Sequence, residues 1–292
     1  LRPITAVQMA TVNTAVHFGL EKDIGSITPG RYADIIISSD LVNLPIELVI
    51  AAGEVVAEHG ELLIDLSPYE YPELAKDTVI LGKQLAAQDF HIVVEGDPSE
   101  VRARVIGVVE NQAPTRALER VLAVKDSVVQ MDAAQDVCQI ALVERHQGTG
   151  SVINGFVSGF GFDTSCAIGS TVAHDSHHMI VVGTSTEDMA RAANRLGELG
   201  GGVVVFKEGQ EIALIELPIA GLMSDERAEI VAGKAAKMVE AFQRCGCDLN
   251  NAFMQLSLLA LVVIPELRIS DRGIVDVTRF ETVPLIMTPA SS

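Results

Sequence analysis

From Ile92 onward the chain offers apolar runs too short for stable helices, among them Ile92 to Val94, Val101 to Val109, Ala117 to Val124 and Gln139 to Glu144. Gly, Pro, Asp and Asn separate them, and runs of four to eight apolar residues bounded by such turn formers read as strands. Most of this stretch can therefore satisfy its backbone only in a sheet, and the punctuation points to an antiparallel one.

Helical periodicity is confined to a few places. Thr5 to Phe18 repeats apolar residues at three-and-four spacing and Gly19 follows as a stop, which predicts one helix. Ile35-Ile36-Ile37 suits a buried strand, and Leu48 to Ala51 and Glu54 to Glu58 flank Ala52-Gly53 as a hairpin. Leu66 to Leu74 carries Pro68, Tyr69, Tyr71 and Pro72, a composition that resists helix and central strand alike, so the boundary falls there. The expected units are residues 1–74 and 75–292, which suits a chain of 292 residues when a domain takes about 100 to 200.

In the second unit Ser185 caps a helix through Leu199, which Gly200-Gly201-Gly202 ends. Strands Val203 to Phe206 and Glu211 to Leu217 follow, joined at Glu208-Gly209-Gln210. Ser224 and Asp225 are expected to cap a long helix with Ile230, Val231, Ala235, Met238, Val239 and Phe242 on one face. Asn250 to Val263 reads as a helix stopped by Pro265, and Asp271-Arg272-Gly273 turns into a short strand at Ile274 to Val277.

Charge and composition remove several function classes. With 21 basic against 39 acidic residues, a formal charge of −18, no Trp and 4 % aromatics, the chain lacks the basic patch and stacking platforms of a nucleic-acid binder. No apolar run approaches the roughly 18 to 20 residues of a membrane helix. Four irregularly spaced cysteines form no disulfide framework, and a reducing cytoplasm is the expected compartment. Cys245-Gly246-Cys247 offers two thiolates, but a structural zinc wants a wider loop and two further ligands. The chain opens Leu1-Arg2-Pro3, with neither an initiator Met nor a secretory layout, and reads as beginning inside a longer one.

The densest group of ionisable and hydroxyl side chains is His174-Asp175-Ser176-His177-His178, just before the apolar run Met179 to Val182. An extended backbone would send His174, Ser176 and His178 to one side and Asp175 and His177 to the other, whereas a turn would let them converge. Such a turn can line a binding cleft, as loops on a rigid scaffold do, or serve as a buried polar turn holding elements together. A metal site here would need a third assured ligand besides His174 and His177. Glu144 and His146 can steer a ligand, although adjacent Glu and Arg are more often surface or interface charges. Gly155 to Gly161 lacks the Lys-Ser/Thr of a phosphate loop, and Phe156, Phe160 and Phe162 read as packing.

Two resemblances then emerge. Ala10-Thr11-Val12-Asn13 to Ala15, Leu20, Gly25, Ile27, Pro29-Gly30 and Ala33-Asp34-Ile35 are similar to the segment that closes chains of the amidohydrolase superfamily. Glu144-Arg145-His146, Gly155-Phe156-Val157, Gly159-Phe160-Gly161, Thr171-Val172-Ala173-His174-Asp175-Ser176-His177, Leu217 to Ser224 and Val263 to Leu267 resemble the extra carboxy-terminal domain of adenine deaminases. His178 departs from the family, which usually has Asn there.

The resemblance implies an α+β fold: the tail of a metal-dependent (β/α)8 amidohydrolase barrel with part of its β-sandwich, then an α+β domain that buttresses or lids a purine site. It implies hydrolytic deamination of adenine to hypoxanthine and ammonia in purine salvage, by hydroxide activated on a divalent metal pair of manganese, iron or zinc. Those metal ligands belong to the barrel, so none is expected in this half, and its partners would be the amino-terminal barrel half, adenine and further copies in a homo-oligomer. Within that frame His174, Asp175, Ser176 and His177 would line the active site, with Glu144 and His146 as substrate contacts. The rival expectations are a noncatalytic assembly domain and a deaminase or cyclic amidohydrolase acting on another base.

Overall fold

The computed structural model describes residues 1–67, 69–96 and 98–287, and divides into two compact units, Leu1–Glu70 and Tyr71–Ser292. Pro68, named in the connecting segment, lies outside the described residues.

In the first unit the expected single helix is two, α1 (Pro3–Ala10) and α2 (Val12–His17), broken at Thr11. The Thr11 hydroxyl donates to the Val7 carbonyl at 2.6 Å, and the residue leaves helical dihedrals at φ −125°, ψ −98°. A threonine side chain that competes for backbone acceptors bends or interrupts a helix in this way. The strands β1 (Ile35–Ser38), β2 (Ile46–Ala51), β3 (Glu54–Glu58) and β4 (Glu61–Leu62) form an antiparallel sheet in that order. Ala52 and Gly53 both take positive φ, 50° and 87°, as a two-residue hairpin turn requires. Ile36 and Ile37 are exposed rather than buried, because β1 is an edge strand and the apolar core of the described residues includes only Ala15 from this unit.

The second unit is built on one large sheet. Its strands are β5 (Glu100–Gly107), β6 (Arg116–Lys125), β7 (Val128–Val129), β8 (Val137–Val143), β9 (Val152–Ser158), β10 (Cys166–Ser170), β11 (Met179–Gly183), β12 (Gly202–Lys207) and β13 (Gln210–Glu216). Their spatial order is β13-β12-β10-β11-β8-β9-β5-β6-β7. The pairs are antiparallel apart from β5 with β9, so the expected antiparallel sheet carries one parallel joint.

Strand β8 shows how the sheet is covered. Cys138, Ile140 and Leu142 face one apolar cluster while Ala141 and Val143 face another, and all five are buried, as alternation predicts for a strand covered on both sides. One face carries α3 (Thr186–Glu198), through Met189, Ala192, Ala193 and Leu196. Ser185 caps α3 by accepting from the Asp188 amide at 3.2 Å.

The opposite face carries α4 (Ala228–Arg244), α5 (Ala252–Leu258) and a smaller sheet of β14 (Leu267–Ser270), β15 (Gly273–Asp276) and β16 (Glu281–Val283), while β17 (Ile286–Met287) pairs with β5. Helix α4 starts later than the sequence suggests. Arg227 occupies its cap position without a side-chain bond, and the Ser224 hydroxyl accepts from Glu226 in a local turn. Only Met238, Ala241 and Phe242 of α4 are buried, whereas Ile230 and Val239 are exposed.

Helix α5 is half the expected length, and the buried Arg268 accounts for its end. That guanidinium takes the carbonyls of Leu258 and Ile264 at 3.0 and 2.8 Å and that of Ala113, so the Leu258 carbonyl is claimed by a side chain instead of a following helical amide. Burial pushes the Arg268 pKa down to about 10. Among the described residues no helix is long and apolar enough to cross a membrane.

Candidate functional site

The strand register brings the candidate residues together. Met179 of β11 is paired with Val143 of β8, which sets His178 beside Glu144 where one strand begins and the other ends. Ser170 of β10 pairs with Val203 of β12, and Gly202 with Glu216 of β13. The segments 144–150, 171–178 and 217–223 therefore emerge at one end of the sheet.

The His174 to Ser176 stretch is a turn, not an extended strand. The His177 amide donates to the Ala173 carbonyl at 2.7 Å, and the Ala173 amide donates to His177 Nδ1 at 3.3 Å. An Nδ1 that accepts leaves the proton of a neutral imidazole on Nε2. The His174 amide donates to the Ser257 carbonyl of α5 at 2.9 Å. The rings of His174 and His177 meet edge to face, with centroids 5.3 Å apart. Asp175 and Ser176 are exposed at the tip. The five side chains do not converge on one point, because His178 turns instead to His146, with ring centroids 4.8 Å apart.

Glu144 spends its carboxylate on its own loop, accepting from the amides of His146, Gln147 and Thr149 at 2.5, 2.8 and 3.0 Å and from the Thr149 hydroxyl at 3.1 Å. Burial acts to raise its pKa, but those donors outweigh burial and bring it down to about 2. His146 Nε2 donates to the Ser176 carbonyl at 2.9 Å, tying the loop to the histidine turn.

Arg145 corrects the expectation of a surface or interface charge. It is 1 % exposed, and its donors are spent on carbonyls: Nε on His177 at 2.5 Å, one Nη on Thr78 at 3.4 Å and the other on Ala220 at 3.2 Å. The Ala220 loop is folded tightly enough to reach it, with Ala220 and Gly221 at φ 57° and 69° and the Ile219 and Met223 backbones bonded to each other at 3.1 and 3.0 Å. Any side chain at Gly221 would place its Cβ 2.7 Å from Arg145 Nη1. Thr171 fixes the same loop from the strand side, donating to the Gly221 carbonyl at 2.6 Å and accepting from the Gly202 amide at 2.8 Å.

The surroundings of His177 and His178 favour their neutral rings. Burial first, then the charges of His174 and Arg145, lowers the His177 pKa against the opposing pull of Asp175. Burial and then His146 lower that of His178, against Asp271 and Glu144. A cavity of about 480 Å³ is lined by Glu144, His146, Thr149, Ser151, His178 and Asp271 among others. Sequence order marks Asp271 only as part of a turn. It lies 93 positions from His178, and nothing local signals their meeting.

The residues present do not fit a metal pair. Among the described residues no group of three or more His, Cys, Asp or Glu is placed to hold a metal ion, Glu144 has both oxygens engaged, and His146 uses Nε2 on a carbonyl. Cys245 and Cys247 are buried with Cys138 and Cys166 in one apolar cluster, and burial pushes the Cys247 thiol up to about 11.

Residues 112–281 match the family model described as adenine deaminase C-terminal domain, and residues 1–56 match that of the amidohydrolase family. The chain is 67 % identical over 98 % of its length to adenine deaminase 3 of Rhizobium meliloti, 63 % over 98 % to adenine deaminase of Mesorhizobium japonicum, and 45 % over 98 % to that of Moorella thermoacetica. It spans about half of each relative, 48 %, 47 % and 48 % respectively. A family model covering more than half of the chain, including Arg145, the histidine turn and the Ile219–Met223 loop, shows that the chain belongs to the adenine deaminase C-terminal domain family.

Proposed function

We propose that this chain is the carboxy-terminal part of an adenine deaminase, which hydrolyses adenine to hypoxanthine and ammonia, and that its histidine turn closes or lines the purine site. The observation that carries the reading is 67 % identity, across 98 % of the chain, to a protein named adenine deaminase. Residues 1–74 supply the barrel-closing helices and part of the β-sandwich, and residues 75–292 the added α+β domain. The chemistry a divalent pair of manganese, iron or zinc would supply, activation of a water for attack, would belong to the barrel half, and no residue of this chain would hold it.

This chain's own residues orient and enclose. His177 offers an Nε2–H donor, since Nδ1 already accepts from Ala173, and a purine ring nitrogen is a matching acceptor. Asp175 and Ser176, exposed at the tip, can accept from the amino group that departs as ammonia. His174 packs edge-on against His177 and fixes its plane. Four free, buried cysteines support a reducing cytoplasm as the compartment. The complete enzyme, on this reading, is a homo-oligomer.

The test is ammonia release from adenine by this chain alone and after the barrel half is added with manganese or iron. Activity only in the mixture supports the reading, and His174→Ala or His177→Ala in the complete enzyme should then lower turnover at least about tenfold, roughly 1.4 kcal/mol of transition-state stabilisation. Activity of the chain alone would relocate the chemistry to the histidine cluster. Silence in both samples, or alanine variants with unchanged kinetics and altered oligomer size, would favour another base or an assembly role.

A further inference from the structure

Arg145 is a buried cation with no carboxylate partner among the described residues. A fixed charge taken out of water costs several kcal/mol unless it is paired, and a neutral donor could bond a carbonyl more cheaply. What a neutral side chain could not do is reach three separate segments at once. The guanidinium fork spans Thr78, His177 and Ala220, positions that are far apart in sequence and meet only here.

We propose that Arg145 is a positioning residue that locks the His174–His177 turn and the Ile219–Met223 loop into one rigid surface and fixes which ring nitrogen His177 presents. Its bond to the His177 carbonyl holds the backbone at φ 53°, and that conformation returns the ring so that Nδ1 meets the Ala173 amide. The charged groups facing His177 are His174 and Asp175 from its own turn and Arg145 and His146 from the segment after β8. Of these Arg145 is the one always cationic and wholly buried, so it also biases His177 toward its neutral form.

The catalytic part of this inference rests on the proposed deaminase reading, and the experiment separates the two. In the complete enzyme, Arg145→Lys, Arg145→Met and Gly221→Ala are compared with wild type by steady-state kinetics across pH. In parallel, hydrogen–deuterium exchange at the His177 ring carbon, read by mass spectrometry, reports its protonation without needing activity. Arg145→Met is expected to lower kcat at least about tenfold with a smaller change in KM, and to move the His177 midpoint and the acidic limb of activity to higher pH. Arg145→Lys should keep the midpoint near wild type, because the charge remains, yet leave kcat low, because an ammonium cannot fork three carbonyls.

Gly221→Ala crowds the guanidinium while leaving the charge in place, and it decides the matter if Arg145→Met does not fold. Lowered kcat in that folded variant supports positioning. Lowered melting temperature with unchanged kcat and unchanged His177 midpoint, or failure of both Arg145→Met and Gly221→Ala to fold, overturns the proposal, since Arg145 would then be a structural staple only. A wild-type enzyme that does not deaminate adenine would defeat the functional reading, while the His177 midpoints would still report on Arg145.

Discussion

Glu144 and Arg145 are neighbours of opposite charge that do not pair with each other, and each is consumed by backbone. The anion collects amides and the cation collects carbonyls, so the loop after β8 is stiffened from both sides. The Glu144 carboxyl, at about 2 when folded against an ordinary 4.5, is protonated first in the unfolded chain. Its contribution is therefore complete above pH 4.5 and lost as pH falls toward 2. Glu144→Gln is expected to cost about 1.5 to 3 kcal/mol in urea unfolding at pH 7, the range for hydrogen bonds to a charged group. The gap from wild type should narrow as pH falls through that window. A gap that does not depend on pH would place the stabilisation elsewhere.

Helix ends make a contrast that can be measured at the scale of elements. The Ser185 hydroxyl caps α3, and α3 covers β10, β11 and β12 on the face away from α4. Ser185→Ala should cost about 1 kcal/mol, the usual value for a lost cap. Arg227→Ala at the start of α4 should cost close to nothing, because that position makes no side-chain cap bond. Chemical denaturation of the pair checks both, and equal losses would refute the difference in capping. Helix α5 teaches a related lesson: its apolar run continues to Val263, but Arg268 and the Ile269 amide, which donates to the Leu259 carbonyl at 3.1 Å, divert the acceptors that a longer helix would use.

At the scale of the whole molecule the two units differ in what they bury. The second has apolar clusters on both faces of its large sheet, whereas the first contributes Ala15 alone to the buried apolar core of the described residues and exposes Met9, Val16, Phe18, Ile36, Ile37, Val42 and Leu63. About 70 residues with so little buried surface cannot offset the entropy of ordering the chain. Residues 71–292 expressed alone should melt in one cooperative transition, and residues 1–70 alone should show none by calorimetry. A cooperative transition in the short piece would contradict that assignment.

The sequence by itself determined the local grammar: the β2–β3 hairpin through Ala52-Gly53, the capped α3, the strands around Glu208-Gly209, and the family, through motifs that run almost the length of the second unit. It also marked the histidine run as a site candidate, because ionisable side chains before a buried strand are legible without coordinates. Only the tertiary structure decided what those side chains do. That Arg145 is buried, that Glu144 is saturated, that His178 meets His146 and stands with Asp271 at one cavity, and that Thr11 breaks a helix whose apolar spacing is sound all depend on partners distant in sequence or on which backbone groups remain free. Periodicity and capping are interactions within a few residues and can be read from order alone. Burial of charge and choice of hydrogen-bond partner depend on which strands lie side by side, and the chain settles that only when its sheet is assembled.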